Sequence, residues 1–262
     1  MRTASDKMSH TRREKKRIDV LVVEKGIAES RHKAKAMIMA GNILVDDHLV
    51  DKPGTFVNRD ARVASRWTET DFVSRGGLKL EHALSHFKID VKGFSCLDVG
   101  ASTGGFTDCL LRHGAACIWA VDVGYGQLAW KLRQDPRVKV LERTNIRYVT
   151  YDDLPGNFDL AAIDVSFISL RIVMPVVKEF MKPGSFILAL IKPQFEVGRG
   201  EVGKGGVVRD PDLHRRVVED LTEYFSKCGL EPGPATESPI LGPQGNLEFI
   251  QMLRFPASHK SD

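Results

Sequence analysis

Four charged residues stand where apolar segments begin or end. Lys79 lies in SRGGLKLEHAL, Asp164 closes AAID, Lys192 follows FILALI, and Glu248 opens EFIQ. An ammonium group at the end of an apolar strand is costly unless it faces a cleft or a carboxylate. Pro193 favours an extended conformation at Lys192 and so places it at a strand end. Taken singly, each of the four reads as half of a salt bridge. Taken together, two ammonium groups and two carboxylates can manage a proton on a weakly acidic group. Carboxylates raise a lysine's affinity for its proton and desolvation lowers it, so general-base and positioning roles both stay open.

A second stretch, CLDVGASTGGFTDCLL, has the form of a nucleotide-binding turn. An apolar strand reaches Asp98, bends at Gly100, passes Ala101, Ser102, Gly104, Gly105 and Phe106, and enters an amphipathic helix. Asp122 ends the next strand 22 positions after Gly100 (122 − 100), close to the spacing at which an acidic residue meets ribose hydroxyls. The phosphate-cradling G-x-G-x-x-G is absent, and a carboxylate at Asp98 would repel a pyrophosphate. The expected ligand is a nucleoside without phosphates that carries a positive group. S-adenosylmethionine has that chemistry, with Asn145, after the third strand, placed for the adenine edge.

These residues need a scaffold of alternating strands and helices. From Ser95 the chain reads as strand, helix, strand, helix, strand, and later repeats the alternation up to LEFIQMLRF. That pattern implies a parallel, doubly wound α/β sheet with ligands at the strands' carboxyl ends. The chain has 262 residues, 42% of them hydrophobic, enough for such a core and a small extra module. No apolar run is long enough to span a membrane and no signal-peptide core is visible, so the expected location is the cytoplasm. Cys96, Cys109, Cys117 and Cys228 show no paired spacing, so neither a metal nor a disulfide is expected. The residues show no sign of an obligate protein partner.

The small module lies near the N-terminus. Residues 1–16 form a basic tail; the first 17 residues hold seven Lys or Arg against Asp6 and Glu14. Residues 17–64 read as two short helices, the second capped by Ser30, followed by a hairpin with its tip at Asp46 and Asp47. Arg31, Lys33 and Lys35 share the second helix with an apolar stripe of Ala34, Met37 and Ile38. The stretch SRHKAKAMIMAGNILVDDHLVDKPG resembles the RNA-binding domain first described in ribosomal protein S-four, which grips RNA by backbone and shape. That resemblance implies RNA contact through Arg17, Ser30, Arg31, Lys33, Lys35 and Lys52, joined by Arg75 beyond a linker at 65–73.

Residues 74–262 form the expected enzyme domain. Lys79, Asp164, Lys192 and Glu248 resemble, in order, the Lys-Asp-Lys-Glu set of FtsJ-like 2′-O-ribose methyltransferases. With SRGGLKL, CLDVGASTGGFTD, DVGYGQLAW, DPRVKVLERTN, DVSFISL, IKPQFEVG, GKGGVVRDP and GPQGNLEF, the chain resembles the TlyA-like proteins, which join both domains. The resemblance implies a Rossmann-like methyltransferase sheet behind a small α+β RNA-binding domain. It also implies S-adenosylmethionine-dependent 2′-O-methylation of cytidine in ribosomal RNA or ribosomal subunits, with Lys192 orienting the hydroxyl and Lys79 beside it. Two other readings are weighed: a membrane-active hemolysin, a label the family carries, and a non-catalytic RNA-binding assembly factor. The glycine-rich FEVGRGEVGKGGVVRDP is expected to form a mobile lip, with Arg199, Lys204 and Arg209 near phosphates.

Overall fold

The structure is a computed structural model that describes residues 14–28, 30–39, 41–65, 72–242 and 244–257, with the side chains of Lys33, Ala36 and Arg199 excepted. Most of the basic tail and most of the expected linker therefore lie outside the described residues. The chain divides into two compact units, Met1–Thr70 and Asp71–Asp262.

In the first unit, β1 (Lys15–Arg17) leads into α1 (Ile18–Glu24) and α2 (Arg31–Met39), then β2 (Ile43–Val45), β3 (His48–Val50), β4 (Phe56–Asn58) and β5 (Val63–Ser65). β1 pairs with β4, and β3, β2 and β5 form a second small sheet. Lys15 and Lys16, expected in the tail, belong to β1. Ile18, Val22, Ala34, Ile38 and Ile43 close a core between the helices and the strands. The turn between β2 and β3 has Asp46 at φ 49° and Asp47 at φ 65°. Two successive residues at positive φ define the tight hairpin turn usually made by Asn-Gly. Here the Asp46 side chain holds the turn to a neighbouring segment: its Oδ1 accepts from the Arg62 N–H, 16 positions on, at 2.9 Å.

The second unit opens with α3 (Gly76–Phe87) and continues through β6 (Ser95–Val99), α4 (Gly105–Arg112), β7 (Cys117–Val121), α5 (Trp130–Arg133), β8 (Val138–Leu141), β9 (Phe158–Ile163), α6 (Leu170–Glu179), β10 (Met181–Ile191), α7 (Pro193–Glu196), α8 (Pro211–Lys227), β11 (Glu231–Glu237) and β12 (Phe249–Arg254). Seven strands form one sheet in the order β11-β12-β10-β9-β6-β7-β8. β10, β9, β6, β7 and β8 run parallel, whereas β12 is antiparallel to both β10 and β11. The sheet is thus not wholly parallel, contrary to the sequence expectation. The difference lies in EPGPATE, whose prolines and glycine hide a strand that is tolerated because it sits at an edge.

Strand order determines where the chemistry falls. β9 and β6 are central, buried on both faces, and made of residues such as Leu97, Leu160, Ala161 and Ile163. The chain leaves β6 towards α4 on one side, while β9 and β10 continue on the other, so their carboxyl ends meet at the reversal of strand order. One core layer packs Phe158, Met174, Val177, Leu221 and Phe225 against the sheet. The other packs Leu80, Leu84, Leu110, Ile118 and Leu188 beneath α3 and α4.

Phe158 has no exposed surface and starts β9, the strand that delivers Asp164. Phe158→Ala is expected to cost about 3–5 kcal/mol through the cavity it leaves, read as a lower urea midpoint with an unchanged slope.

Candidate active site

Gly100 sets the geometry at the end of β6. Its φ is +89°, and a Cβ there would lie 2.5 Å from the Asp164 carbonyl oxygen, so only glycine fits between the two strand ends. The Gly100 N–H donates to Val121 O at 2.8 Å and the Asp164 N–H to Val99 O at 2.9 Å. The turn after β6 is thereby held against both neighbouring strands. Gly104 and Gly105 are small for another reason. A Cβ on Gly104 would meet Leu132 Cδ1 at 2.2 Å, and one on Gly105 would meet Ser74 Oγ at 2.4 Å. A side chain at either position would displace protein atoms, and Gly105 also lines a pocket at this turn.

A cavity of about 980 Å³ opens at these strand ends, lined among others by Gly100, Ser102, Asp122, Gln127, Asn145 and Arg147. Its size suits a cofactor-sized nucleoside. Asp122 is braced at both oxygens: Oδ2 accepts from the Ser102 N–H at 2.8 Å and Oδ1 from the Gly124 N–H at 2.6 Å. Ser102 adopts φ 49° and its hydroxyl donates to Gln127 Oε1 at 3.3 Å. Asn145 caps the short 3-10 turn at Ile146–Tyr148, its Oδ1 accepting from the Arg147 N–H at 3.1 Å. Ala101 and Phe106 are buried and line an adjoining pocket of about 210 Å³.

That smaller pocket is also lined by Ser74, Arg75, Lys79, Asp164, Ser166 and Lys192. It shares Gly100, Ser102, Asp164 and Ser166 with the larger cavity. Lys79 comes from the first turns of α3 and lies 2.5 Å from Glu248 Oε2, with both side chains almost fully buried. Lys192, just past β10, lies 2.6 Å from Asp164 Oδ1 in ion-pair contact, and its directed hydrogen bond goes to Ser166 Oγ at 2.8 Å. Four residues separated by up to 169 positions thus become two ion pairs, three members of which face one pocket. Glu248 sits behind Lys79, and a Cβ on Gly242 would strike its Oε1 at 2.2 Å.

Asp98 is fully buried and accepts from Thr107 Oγ1 at 2.6 Å, while its Oδ1 has no partner. Burial pushes its carboxyl up to about 7, against the pull of the Thr107 bond, with the charge of Asp164 adding to the rise. Burial thus disfavours its charged form, and Asp98 lines neither pocket, so the repulsion of phosphates expected from its charge is weakened here.

Several contributors went unnoticed in the sequence. Ser166 lies two residues after Asp164 in DVSF, a spacing that could have drawn attention to it. Phe167 is 90% exposed at φ 64° and its ring lies 5.0 Å from that of Phe195. A bulky residue in left-handed backbone is a strained arrangement of the kind that gathers at functional sites. Glu196 ties the two segments together, accepting from Ser169 Oγ at 2.6 Å and the Leu170 N–H at 2.8 Å. The expected mobile lip has local structure. Gly203 bridges to Val207, both Val207 and Val208 are buried, and the Asn246 amide holds Gly206 O and the Val208 N–H. Glu201 pairs with Arg216 at 2.5 Å, and the Arg199 side chain lies outside the described residues.

In the first unit Arg17 and Arg31 both bond the buried carboxylate of Asp19, at 3.0 and 2.9 Å. The Arg17 guanidinium holds the Asp19 carboxyl down at about 2. Both arginines keep part of their surface in solvent. Ser30, Lys35 and Lys52 are exposed on the same unit.

A doubly wound sheet with a nucleoside-sized cavity beside a Lys-Asp pair, joined to a small basic α+β domain, defines a class of nucleic-acid methyltransferase. Residues 72–255 match the FtsJ-like methyltransferase family and residues 16–63 the S4 domain, and the chain belongs to the FtsJ-like methyltransferase family. It is 51% identical over 243 residues to the "Putative rRNA methyltransferase YqxC" of Bacillus subtilis, covering 92% of this chain and 86% of that one. It is 47% identical over 240 residues to the "16S/23S rRNA (cytidine-2′-O)-methyltransferase TlyA" of Mycobacterium tuberculosis, covering 91% and 89%. A solved "putative hemolysin" from Streptococcus thermophilus superposes with a TM-score of 0.73 at 40% identity, covering 95% of this chain and 93% of that one.

The raised carboxyl of Asp98 has a measurable sign. Because the folded form holds its proton more tightly than the unfolded chain, its contribution to stability is complete below about pH 4 and is lost as pH rises through about 7. Asp98→Asn is expected to melt at least about 4 °C above wild type at pH 8, with the gap narrowing towards pH 4. A gap that does not change with pH would contradict the assignment.

Proposed function

We propose that the protein transfers the methyl group of S-adenosylmethionine to the ribose 2′-hydroxyl of a cytidine in ribosomal RNA. The observation that carries this reading is the pocket shared by Lys79, Asp164 and Lys192, which opens onto the nucleoside-sized cavity through Gly100, Ser102, Asp164 and Ser166. When bound, S-adenosylmethionine supplies a methyl group activated by a sulfonium. The residues present suit it: a braced carboxylate at Asp122 for ribose hydroxyls, Asn145 on the cavity wall, and a turn without the phosphate-cradling G-x-G-x-x-G spacing.

The remaining work falls to the tetrad. A hydroxyl attacking a methyl group gains negative charge as its proton leaves. As the oxygen bonds the methyl carbon its proton passes to water in the pocket; Lys192, steadied by Asp164 and Ser166, donates to that oxygen while it carries negative charge, and Lys79 adds a second positive charge in the same pocket. Each ammonium is pinned by one carboxylate, so the donors need little reorganisation when charge develops. The exposed ring of Phe167, against the half-buried ring of Phe195, gives a nucleobase a surface to stack on beside the reacting ribose. DNA lacks the hydroxyl and is no substrate.

The hemolysin reading has less support. Among the described residues no helix is long and apolar enough to cross a membrane, and the buried tetrad has no part in lysis. An assembly factor without catalysis would need neither ion pair. A protein that methylates ribosomal RNA is expected to work with ribosomes in the cytoplasm.

Lys192→Ala is expected to lower transfer of labelled methyl to ribosomal subunits by roughly a hundredfold or more, with RNA affinity within about twofold of wild type. Product from wild type should resist alkali at the modified nucleotide. Retained RNA binding and unchanged methyl transfer in the variant would remove Lys192 from the chemistry.

RNA grip is tested apart from Arg31, whose loss would leave buried Asp19 with one partner fewer. Lys35→Ala with Lys52→Ala removes two exposed charges and should lower RNA affinity with a shallower salt slope, by about 0.7–0.9 for each phosphate no longer neutralised. An unchanged slope would place the RNA grip elsewhere.

A further inference from the structure

A cluster on the face of the second unit is used by none of this chemistry. Cys109 and His113 are four residues apart at the end of α4, and so lie on one face of the helix. Glu81 reaches them from α3. His113 Nε2 lies 2.6 Å and Cys109 Sγ 3.6 Å from the same oxygen, Glu81 Oε2, and all three donor atoms lie within 4.8 Å of one another. No local pattern hints at this meeting, because Glu81 stands 28 positions before Cys109 and no paired ligand motif is present.

The geometry points to a three-ligand site for a borderline divalent cation, zinc foremost, formed by Glu81, Cys109 and His113, that fastens α3 to α4. Sulfur, imidazole and carboxylate together are the donor set that such a cation prefers. A tetrahedral zinc with bonds of about 2.0–2.3 Å holds its ligand atoms roughly 3.3–3.8 Å apart. The Cys109–Glu81 separation is already in that range. The His113–Glu81 contact, 2.6 Å here, has to widen by roughly 0.7 Å for both atoms to bind one cation.

Access and charge support the same reading. Cys109 is fully buried, whereas the His113 and Glu81 side chains are 38% and 44% exposed, so a cation enters from solvent and a fourth position stays open to water. The C-terminal end of a helix, where His113 sits, also favours positive charge. Arg112, the nearest cation on α4, is directed to Asp108.

The position gives the site a consequence. Glu81 follows Lys79 by two residues on α3, and α4 begins at Gly105 on the turn beside the cofactor cavity. A cation there joins the helix that carries one tetrad lysine to the helix that starts at the methyl-donor turn, without touching either site.

The test uses full-length protein, stripped with chelator, reduced, and titrated with cobalt(II). Wild type is expected to develop a thiolate-to-cobalt charge-transfer band that saturates at one equivalent and is displaced by zinc. Cys109→Ser should lose the band. The exposed His113→Gln should bind cobalt roughly tenfold more weakly or worse, while keeping its fold by circular dichroism. Zinc should raise the melting temperature of wild type and leave that of His113→Gln unchanged. No charge-transfer band in wild type would overturn the site. So would cobalt binding that survives His113→Gln and disappears in His82→Gln, which would put the cation on the stacked His82–His86 pair of α3.

Discussion

Burying two lysines at the end of a sheet is the constraint on which this structure turns. Lys79 and Lys192 are each less than a tenth exposed, and neither charge could be taken out of water without an oppositely charged partner at contact distance. The partners are spread along the chain, and each arrives on a different element. α3 brings Lys79, the end of β9 brings Asp164, the end of β10 brings Lys192, and the start of β12 brings Glu248. Central strand placement, the antiparallel return of β12 and the glycine at position 242 all serve that convergence.

Such pairs are poor contributors to stability, because desolvation offsets most of the Coulomb attraction and hydrophobic replacements of equal volume do as well. In the proposed reaction their use is electrostatic. Fixed donors in a closed pocket act on a developing oxyanion more strongly than the same groups in water. The unpartnered oxygens of Asp98 and Glu248 belong to the same pattern of polar groups held under incomplete satisfaction around one site. Gly100 links the halves, since only the missing side chain lets the cofactor turn lie against the Asp164 carbonyl.

The small domain meets a like constraint in a different way. Asp19 is buried and shared by two arginines that remain partly in solvent. The pair satisfies an internal carboxylate and still presents positive surface to solvent.

Much of this was legible in residues alone. Apolar runs ending at Asp98, Asp164 and Lys192, and glycines at the first turn, identify strand ends because a buried strand has a composition of its own and must stop where polarity begins. Residue type also identified the chemistry that two lysines and two carboxylates could share. Tertiary structure decided which carboxylate serves which lysine, because pairing over 169 positions depends on strand order and not on spacing. It decided that β11 exists despite two prolines, since an edge strand needs only half its hydrogen bonds. It also decided that Gly104 and Gly105 abut protein atoms, that burial disfavours the charge of Asp98, and that Glu81, Cys109 and His113 meet. Each of these depends on neighbours brought together by folding, whose contacts and desolvation no local pattern encodes.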